Sequence, residues 1–315
     1  MLVSCAEDAM VPYLYISGAS YCGSTLLAFL LNSHPAMASI SEAEGLIAAA
    51  DVNSYTCSCG ALLPECPFYS EVEHRIRELG SSFELANWRT AFRLSRHRLV
   101  DIALVRPLRS VALERIRDRV VPLFPNYRRA IRDIERRNTH LARAVLEIAG
   151  KRVFVDAQKD SIRLKFLQAA GDFDLRAIHL VRDVRGAASS FLKHSGTSAV
   201  TWAARAWRNA NMNSERSRRY VPPDRWLRLR YDDLCADVQG TMDRISDFAG
   251  VERAAVPQNF YAVEHHIIGN EMRLERNPTI RKDESWKKRF TPADLEIIAR
   301  VAGRENRYFG YTWPE

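Results

Sequence analysis

Four short apolar runs recur along the chain, separated by longer stretches in which apolar residues have helical spacing. Apolar runs of this length predict buried strands, and the amphipathic stretches predict helices. Strands that alternate with helices are typical of a parallel sheet. The predicted strands are residues 13–17, 151–156, 175–181 and 226–231, and the predicted helices include residues 23–33, 182–193, 237–249 and 291–311. The expected fold class is therefore α/β, with three layers and a central parallel sheet.

The stretch from residue 83 to 149 differs from the rest, because it is dense in arginine and its pattern is helical. Three prolines are expected to break it into pieces: Pro107, Pro122 and Pro125. Acidic residues such as Glu114 and Asp133 recur at helical spacing, which favours a solvated, salt-bridged helix face. We interpret residues 1–315 as one domain in which residues 83–149 form a mostly helical insertion, or lid.

Composition narrows the classes of partner. The 315 residues carry a formal net charge of +8, which favours anionic ligands such as nucleotides and phosphorylated substrates. Nucleic acid is not expected, because the sequence shows no nucleic-acid-binding module and no basic–aromatic stripe. No apolar run approaches the ~18 residues of a transmembrane helix, the first ten residues do not resemble a secretory signal, and six cysteines are too few for a disulfide scaffold. These features predict a cytoplasmic protein.

The first predicted strand leads into a glycine-bearing loop and then a helix rich in leucine. Gly18, four further residues, Gly23, Ser24 and Thr25 match the phosphate-loop pattern G-x-x-x-x-G-K-[ST], except that Ser24 replaces the lysine. Such a loop can aim backbone N–H groups and the positive end of a helix at a phosphate. It lacks the lysine that reaches the β- and γ-phosphates of a nucleoside triphosphate. We therefore predict a different kind of phosphate site, formed by Gly18, Ala19, Ser20, Tyr21, Cys22, Gly23, Ser24 and Thr25.

A second motif follows the third predicted strand. Arg182 lies at the carboxyl end of that strand, and Ser190 lies eight residues later on the next helix. Ligands of open α/β sheets bind at this edge, and an arginine fork with a hydroxyl group suits a second phosphate. The alternative is that Arg182 only pairs with Asp183 or Asp156 at the surface.

Together these motifs resemble those of the sulfotransferases that use 3′-phosphoadenosine 5′-phosphosulfate (PAPS). GxxxxGST…SHP and LVRDxRxxxxS look like the paired donor-binding motifs of that family. Four further segments are similar to family motifs: residues 155–159 (VDAQK), 229–234 (LRYDDL), 266–273 (HIIGNEMR) and 281–287 (RKDESWK). A CSCG turn followed by CPF also occurs in some bacterial members. The resemblance extends from residue 13 to residue 311 and leaves the arginine-rich insertion unmatched.

The resemblance implies a nucleotide-binding fold of the P-loop type and a role for each motif. The loop of residues 18–25 would hold the 5′-phosphosulfate. The 3′-phosphate would be held by Arg182 and Ser190, helped by Arg281 and Lys282. Tyr231 would lie near the adenine or line the donor cleft.

One position departs from the family pattern. Members normally carry lysine or arginine just before the S-G-[ST]-T part of the loop, whereas this chain has Tyr21 followed by Cys22. Sulfuryl transfer places negative charge on the departing phosphate oxygen, which a cation stabilises. Lys159, at the end of the second strand, is the candidate replacement, and its alternative interpretation is a solvated surface lysine. Cys22 is interpreted as a packed thiol rather than as a nucleophile.

The acceptor hydroxyl needs a general base. Glu42, which follows the first helix, is the first candidate, because it lies where the protein-tyrosine branch of the family carries its glutamate. Glu44 and His266 stay open as alternatives. We therefore expect the catalytic groups among Glu42, Lys159 and His266, with Glu44 as the alternative carboxylate.

Three cysteines lie close together in the sequence, at Cys57, Cys59 and Cys66, and His74 would complete a set of four metal ligands. However, C-x-C followed by a single cysteine departs from the C-x-x-C spacing that is frequent in structural zinc sites. The favoured interpretation is a turn of buried thiols, without a metal.

The resemblance thus implies an enzyme that moves a sulfuryl group from PAPS to a hydroxyl or amine of a small molecule, glycan or lipid by in-line displacement. No metal is required, since loop amides and cations carry the charge. Two alternatives stay open: a non-catalytic nucleotide-binding protein of the same fold, and a kinase-like phosphotransferase, which Ser24 disfavours.

Overall fold

A five-stranded parallel sheet forms the centre of the computed structural model, which describes residues 9–45, 51–95, 97–108, 110–196 and 198–313. The strand order is β2-β3-β1-β4-β5, and every neighbouring pair is parallel. The strands are β1 (Val11–Gly18), β2 (Met37–Ser41), β3 (Val153–Lys159), β4 (Phe173–Val181) and β5 (Trp226–Arg230). Since β1 is central, the loop that follows it has β3 on one side and β4 on the other.

Helices cover both faces of this sheet. The helices are α1 (Ser24–Ser33), α2 (Pro67–Glu78), α3 (Arg98–Val105), α4 (Val111–Val120), α5 (Pro125–Ala149), α6 (Ser161–Ala170), α7 (Val184–His194), α8 (Val200–Ser217), α9 (Tyr231–Ala236), α10 (Val238–Ala249), α11 (Trp286–Arg289) and α12 (Pro292–Tyr308). None of the helices in the described ranges has the length and apolar character needed to cross a bilayer.

Strand β1 divides its side chains between two buried clusters. Tyr13 and Tyr15 pack on one face of the sheet with residues of α2, α5 and α6. Leu14 and Ile16 pack on the other face with residues of α1 and α10. A strand that is buried on both faces has an uninterrupted apolar sequence, which explains why this run is visible in the sequence.

The predicted α/β class with a central parallel sheet is confirmed. The four predicted strands correspond to β1, β3, β4 and β5, with bounds that shift by a few residues. β2 was not predicted, because its short sequence MASIS mixes small polar and apolar residues. The predicted helix ends are also found: Gly250 closes α10 with a φ of 70°, and Thr291 forms a capping box at the start of α12.

Within its described residues, the region predicted as an insertion contains three α-helices and one non-helical segment. Helices α3, α4 and α5 account for much of it, but residues 83–95 contain no helix. Three aromatic side chains of this segment are buried: Phe83, Trp88 and Phe92. The segment therefore anchors its aromatic rings in the core instead of presenting a helix face. The predicted breaks are confirmed at Pro107, between α3 and α4, and at Pro125, the first residue of α5.

The prediction that Glu114 lies on a solvated helix face is wrong. This residue is only 3% exposed, and its carboxylate lies 3.0 Å from Lys165 Nζ and 2.5 Å from a guanidinium nitrogen of Arg219. The buried ion pairs attach α4 to the body of the protein. Asp133, by contrast, pairs with arginines of its own helix at the surface, as predicted.

Candidate active site

The loop between β1 and α1 has a backbone geometry that suits an anion. A Cβ on Gly18 would lie 2.5 Å from the carbonyl oxygen of Leu180, and a Cβ on Gly23 would lie 2.5 Å from the Tyr231 ring. Both positions therefore require glycine. Helix α1 begins at Ser24 without a side-chain cap. The first N–H groups of any helix lack intrahelical partners, and here no capping side chain occupies them at the positive end of the helix dipole.

Strained backbone is concentrated at the carboxyl ends of three neighbouring strands. Ser41 and Lys159, the last residues of β2 and β3, have φ values of 68° and 69°, and Tyr21, in the loop after β1, has a φ of 63°. Left-handed conformations cost a non-glycine residue on the order of 1–3 kcal/mol, and they cluster at functional sites. This edge of the sheet is the candidate site.

Arg182, Ser190 and Tyr231 lie together beside the loop. Nη1 of Arg182 donates to the carbonyl oxygen of Tyr21 at 3.2 Å and to Oγ of Ser190 at 3.3 Å. The guanidinium carbon lies 4.7 Å from the centre of the Tyr231 ring, within cation–π distance. The structure thus brings the Arg182–Ser190 motif, which the sequence analysis assigned to the 3′-phosphate, against Tyr231, which it placed near the adenine or in the donor cleft.

The alternative pairings of Arg182 are wrong. Asp183 accepts hydrogen bonds from Arg185 at the start of α7, at 2.5–2.9 Å. Asp156 is fully buried and accepts a hydrogen bond from Nε of Arg163 at 2.6 Å. Both carboxylates are therefore already neutralised by other arginines.

Asp283 is the acidic partner that Arg182 has in the structure. Its Oδ2 accepts a hydrogen bond from Nη2 of Arg182 at 2.9 Å. Burial acts to raise the pKa of Asp283, but hydrogen bonds from Ser285 and from Arg182 lower this pKa overall. The carboxylate is therefore charged at neutral pH, and a phosphate that binds Arg182 must displace it or share the guanidinium with it.

If adenosine 3′,5′-bisphosphate binds at Arg182, as the family resemblance implies, replacing Asp283 with asparagine is expected to tighten this binding. The asparagine side chain would retain the acceptor oxygen for the Ser285 amide while removing a negative charge beside Arg182. Because the Asp283 side chain is 42% exposed, we expect only a two- to five-fold gain, about 0.5–1 kcal/mol. Isothermal titration calorimetry measures this, with Glu284→Gln as the control. Weaker binding in Asp283→Asn would show that Asp283 positions Arg182 instead of competing for it.

The basic tail segment reaches the same place. The Tyr231 hydroxyl donates to the carbonyl oxygen of Arg281 at 3.4 Å, and Lys282 pairs with Asp232. The side chain of Arg281 is exposed. Backbone contact therefore brings the segment to Tyr231, and both basic side chains lie at the rim of the site.

Tyr21 and Cys22 occupy the positions at which the loop departs from the family pattern. The Tyr21 ring stacks on His194, with centroids 5.5 Å apart, and packs edge-on against Phe191. Burial raises the pKa of the Cys22 thiol, and the nearby charges of Lys159 and Arg182 oppose this rise. A fully buried thiol with a raised pKa agrees with the interpretation of Cys22 as a packed side chain. Lys159, at the end of β3, and Arg182, after β4, thus place a positive charge on each side of the loop.

Glu42 and Lys159 form an ion pair on the other side of the loop. Nζ of Lys159 donates to Oε1 of Glu42 at 3.2 Å and to the carbonyl oxygen of Ala157 at 2.7 Å. The pair follows from topology, because β2 and β3 are neighbours and both residues lie at their carboxyl ends. A Cβ on Gly269 would lie 3.2 Å from the carboxyl carbon of Glu42, so residue 269 must be small to leave this carboxylate room.

Glu44 faces a different environment. It lines a cavity of about 480 Å³ under the insertion, together with Asp160 and Arg93. Its carboxylate lies 3.9 Å from Arg163. Burial raises the pKa of Glu44 to about 7, although the Arg163 charge opposes the change. The structure thus separates the two candidate carboxylates, and of these two it is Glu42 that pairs directly with Lys159.

His266 lies among the cysteines. Its Nδ1 is 3.3 Å from Sγ of Cys66 and 3.9 Å from Sγ of Cys57. His74, the suggested fourth metal ligand, is instead exposed and pairs with Glu78 on the surface of α2. The histidine that accompanies the cysteines therefore comes from a segment 200 residues further along the chain than Cys66.

Comparison with known proteins agrees with this architecture. The model of the sulfotransferase family matches residues 174–255, which contain Arg182, Ser190 and Tyr231. The sulfotransferase domain of the Synechococcus PCC 7002 olefin synthase is similar in structure, with a TM-score of 0.55 and 20% sequence identity over 100% of both chains. The resemblance to the sulfotransferase family is confirmed.

A second solved structure with the sulfotransferase fold is the sulfotransferase domain from the curacin biosynthetic pathway. Its TM-score is 0.53 at 18% identity, and the alignment covers 98% of this chain and 99% of that domain. No curated protein matches the chain. The two structural comparisons therefore support the sulfotransferase fold along almost the whole chain. The family model supports the sulfotransferase family over residues 174–255, where Arg182, Ser190 and Tyr231 lie.

Sequence reasoning missed two residues of the site. Asp283 directly follows the Arg281-Lys282 pair, so an acid inside a basic motif was the available signal. Gly269 lies inside the HxxGNxxR segment, and its φ of 117° and its approach to Glu42 explain why glycine is needed there.

Proposed function

We propose that this protein transfers a sulfuryl group from PAPS to a hydroxyl or amine of an acceptor. One observation carries the proposal. At a single edge of the sheet, the loop of residues 18–25 lies between an arginine-based anion site and a carboxylate–ammonium pair. The first site suits a nucleotide phosphate, and the second suits proton removal and charge stabilisation.

The residues on the β4 side fit the bisphosphate end of the donor. Arg182 and Ser190 present a guanidinium and a hydroxyl for a 3′-phosphate, and the start of α1 presents backbone N–H groups for the 5′-phosphate. Tyr231 offers an aromatic face that already contacts Arg182. When bound, PAPS supplies the sulfuryl group.

The residues on the β3 side would do the chemistry of transfer. Glu42 would accept the proton of the acceptor hydroxyl as its oxygen forms the new bond to sulfur. The bond between sulfur and the phosphate oxygen breaks, and the electron pair stays on that oxygen. Lys159 and the loop amides would stabilise the resulting negative charge, in place of the cation that Tyr21 lacks.

The cavity under the insertion is the space that we propose for the acceptor. It lies at the same edge, since Asp160 follows β3 and Glu44 follows β2. Glu42 does not line this cavity, so an acceptor held there would extend its reacting hydroxyl from the Glu44 side to Glu42. Its lining includes the charged side chains of Arg93, Asp101 and Arg106. A polar acceptor, such as a small hydroxylated molecule or a sugar, matches this lining better than a lipid chain.

Binding of the donor product tests the proposal most directly. Calorimetric titration with adenosine 3′,5′-bisphosphate, without added divalent metal, would be compared with titration by ATP and Mg²⁺. We expect the bisphosphate to bind tightly and ATP to bind weakly, because the loop has Ser24 where a nucleoside triphosphatase has lysine. A preference for Mg-ATP would overturn the proposal in favour of a phosphotransferase.

Replacing Arg182 with alanine should weaken bisphosphate binding by about 30- to 100-fold, since hydrogen bonds to charged groups contribute about 1.5–3 kcal/mol. The acceptor KM should change little, because the proposed acceptor space lies on the opposite side of the loop. Calorimetry and initial-rate kinetics would measure the two effects. Lys287→Ala, which removes a surface charge of the same basic tail, is the control. Equal losses for donor product and acceptor would contradict the role of Arg182.

One observation favours the non-catalytic alternative. Tyr21 replaces the usual cation of the loop, and its ring is committed to packing on α7. Tight bisphosphate binding without transfer from PAPS to any hydroxyl or amine acceptor would support a binding protein of the same fold.

A further inference from the structure

We propose that Cys57, Cys59, Cys66 and His266 bind one Zn²⁺ ion. The four ligand atoms, three sulfurs and one ring nitrogen, all lie within 4.8 Å of one another. Cys57 and Cys66 are fully buried, and Cys59 and His266 are partly buried. The resemblance gives these cysteines no role and the proposed transfer chemistry does not use the cluster, so the zinc proposal does not depend on the proposed function.

The distances between ligand atoms match those of a tetrahedral zinc site. Zn–S bonds of about 2.3 Å and a Zn–N bond of about 2.0 Å place neighbouring ligand atoms about 3.5–3.8 Å apart. Sγ of Cys59 lies 3.7 Å from Sγ of Cys66. Nδ1 of His266 lies 3.3 Å from Sγ of Cys66 and 3.9 Å from Sγ of Cys57. These three distances lie within a few tenths of an ångström of the tetrahedral values, and a movement of about 1 Å at most would bring any other pair of ligand atoms to them.

The backbone around the cysteines is arranged as in a metal-binding turn. The Cys57 amide donates to the carbonyl oxygen of Ala61 at 2.9 Å, and Gly60, with a φ of 98°, closes the turn. The amides of Cys59, Ala61 and Tyr69 lie near the sulfurs of Cys57, Cys59 and Cys66, respectively. Such N–H···S contacts stabilise thiolates, the form in which cysteine binds zinc.

The fourth ligand is oriented by its neighbours. Nε2 of His266 lies 3.0 Å from a carboxylate oxygen of Glu264, so a proton on Nε2 leaves the lone pair of Nδ1 directed to the sulfurs. The ring stacks on Phe68 with an interplanar angle of 3°, and the Tyr69 hydroxyl holds the His266 carbonyl oxygen at 2.7 Å. Carboxylate–histidine pairs of this kind fix ligating histidines in zinc proteins.

The surroundings also suit the charge of the complex. Three thiolates, one neutral imidazole and Zn²⁺ carry a net charge of −1. Arg276 donates to the carbonyl oxygen of Cys59 at 3.5 Å, and this places a positive charge at the turn.

Zinc at this cluster would join two distant parts of the chain. The turn of residues 57–66 already contacts the segment of residues 264–273 through Ser58, whose amide donates to the carbonyl oxygen of Ile267 and whose hydroxyl accepts from its amide. The same segment carries Gly269, which lies against Glu42. We therefore expect the ion to be structural, since all four positions of a tetrahedron are filled by protein ligands.

Metal analysis of the full chain, purified under reducing conditions without a chelator, tests the proposal. We expect about one zinc per chain by plasma mass spectrometry. Replacement by Co²⁺ should produce the visible absorption of a tetrahedral cobalt–thiolate centre. Removal of the zinc should lower the Tm. Metal-free protein whose Tm does not respond to added Zn²⁺, or protein in which Cys59 and Cys66 form a disulfide under these conditions, would overturn the proposal.

Variants separate metal binding from folding. Glu264→Gln changes an exposed side chain, so folding should be unaffected, but zinc affinity should fall by about 10- to 100-fold, because the negative charge beside Nε2 of His266 is lost. Cys66→Ser should abolish the cobalt–thiolate absorption. The controls are Glu65→Gln, an exposed acid beside the cluster, and Cys235→Ser, a thiol outside it. Unchanged zinc affinity in Glu264→Gln together with unchanged zinc content in Cys66→Ser would refute the assignment.

Discussion

Replacing Glu42 with glutamine is expected to lower kcat for sulfuryl transfer by about 10²- to 10⁴-fold, the usual contribution of a general base. Glutamine has the same shape and keeps an oxygen acceptor for Lys159, so the fold and the bisphosphate affinity should change little. Steady-state rates with PAPS and calorimetry with adenosine 3′,5′-bisphosphate would measure the two quantities separately.

The matched control is Glu44→Gln, which changes the other candidate carboxylate. Because burial raises the pKa of Glu44 to about 7, this residue would be protonated below pH 7 and could act as a base only above it. If Glu44 were the base, kcat would increase through about pH 7, and Glu44→Gln would abolish this increase. Loss of activity in Glu44→Gln with near-normal activity in Glu42→Gln would reverse our assignment.

The second large effect is expected for Lys159→Met, which should lower kcat by about 10²-fold or more, as removal of a single charge-stabilising group does in other enzymes. Methionine approximates the length of the lysine stem but removes the positive charge beside Glu42. It faces the same left-handed backbone, so strain at this position is retained. The bisphosphate affinity and the Tm serve as controls for integrity.

A rescue experiment would show whether Lys159 acts in catalysis or only forms an ion pair with Glu42. If Lys159 supplies the cation that the loop lacks, then Tyr21→Arg should restore part of the activity of Lys159→Met, because arginine returns a positive charge to the usual family position. A Lys159→Met enzyme within about threefold of the original rate would mean that Lys159 only neutralises Glu42 and that transfer depends on other groups.

The central part of the fold could be predicted because its strands are buried on both faces. Tyr13 and Leu14 pack on opposite sides of the sheet, so residues 13–16 are apolar at every position and stand out in the sequence. β2 could not be recognised in this way, since Ser39 and Ser41 are buried polar residues. Ser39 is held by a hydrogen bond to a backbone carbonyl of β3, a contact that only the folded sheet provides.

Parts of the candidate site whose residues are close in sequence could be recognised before the structure, and pairings between residues distant in sequence could not. Gly18, Gly23 and Thr25 are close in sequence, and Arg182 follows a predicted strand, so their position at the carboxyl edge of the sheet could be expected from the strand pattern. Their roles in binding the donor stay predictions. The partnership of Arg182 with Asp283 joins residues 101 positions apart. The meeting of His266 with Cys66 spans 200 positions. Pairings of this kind depend on how loops return to the sheet, and no local pattern encodes that path.

The strand order also assigns the two halves of the site to different stretches of chain. Glu42, Lys159 and the insertion all belong to the continuous stretch of residues 37–159, whereas Arg182 and Tyr231 lie in residues 174–255, the part that matches the family model. Recombination at two points, in the loop before β2 and in the loop after β3, could therefore exchange residues 37–159 as one unit. Under the proposed function, such chimaeras would acquire a new acceptor preference while Arg182 and Tyr231 stay unaltered.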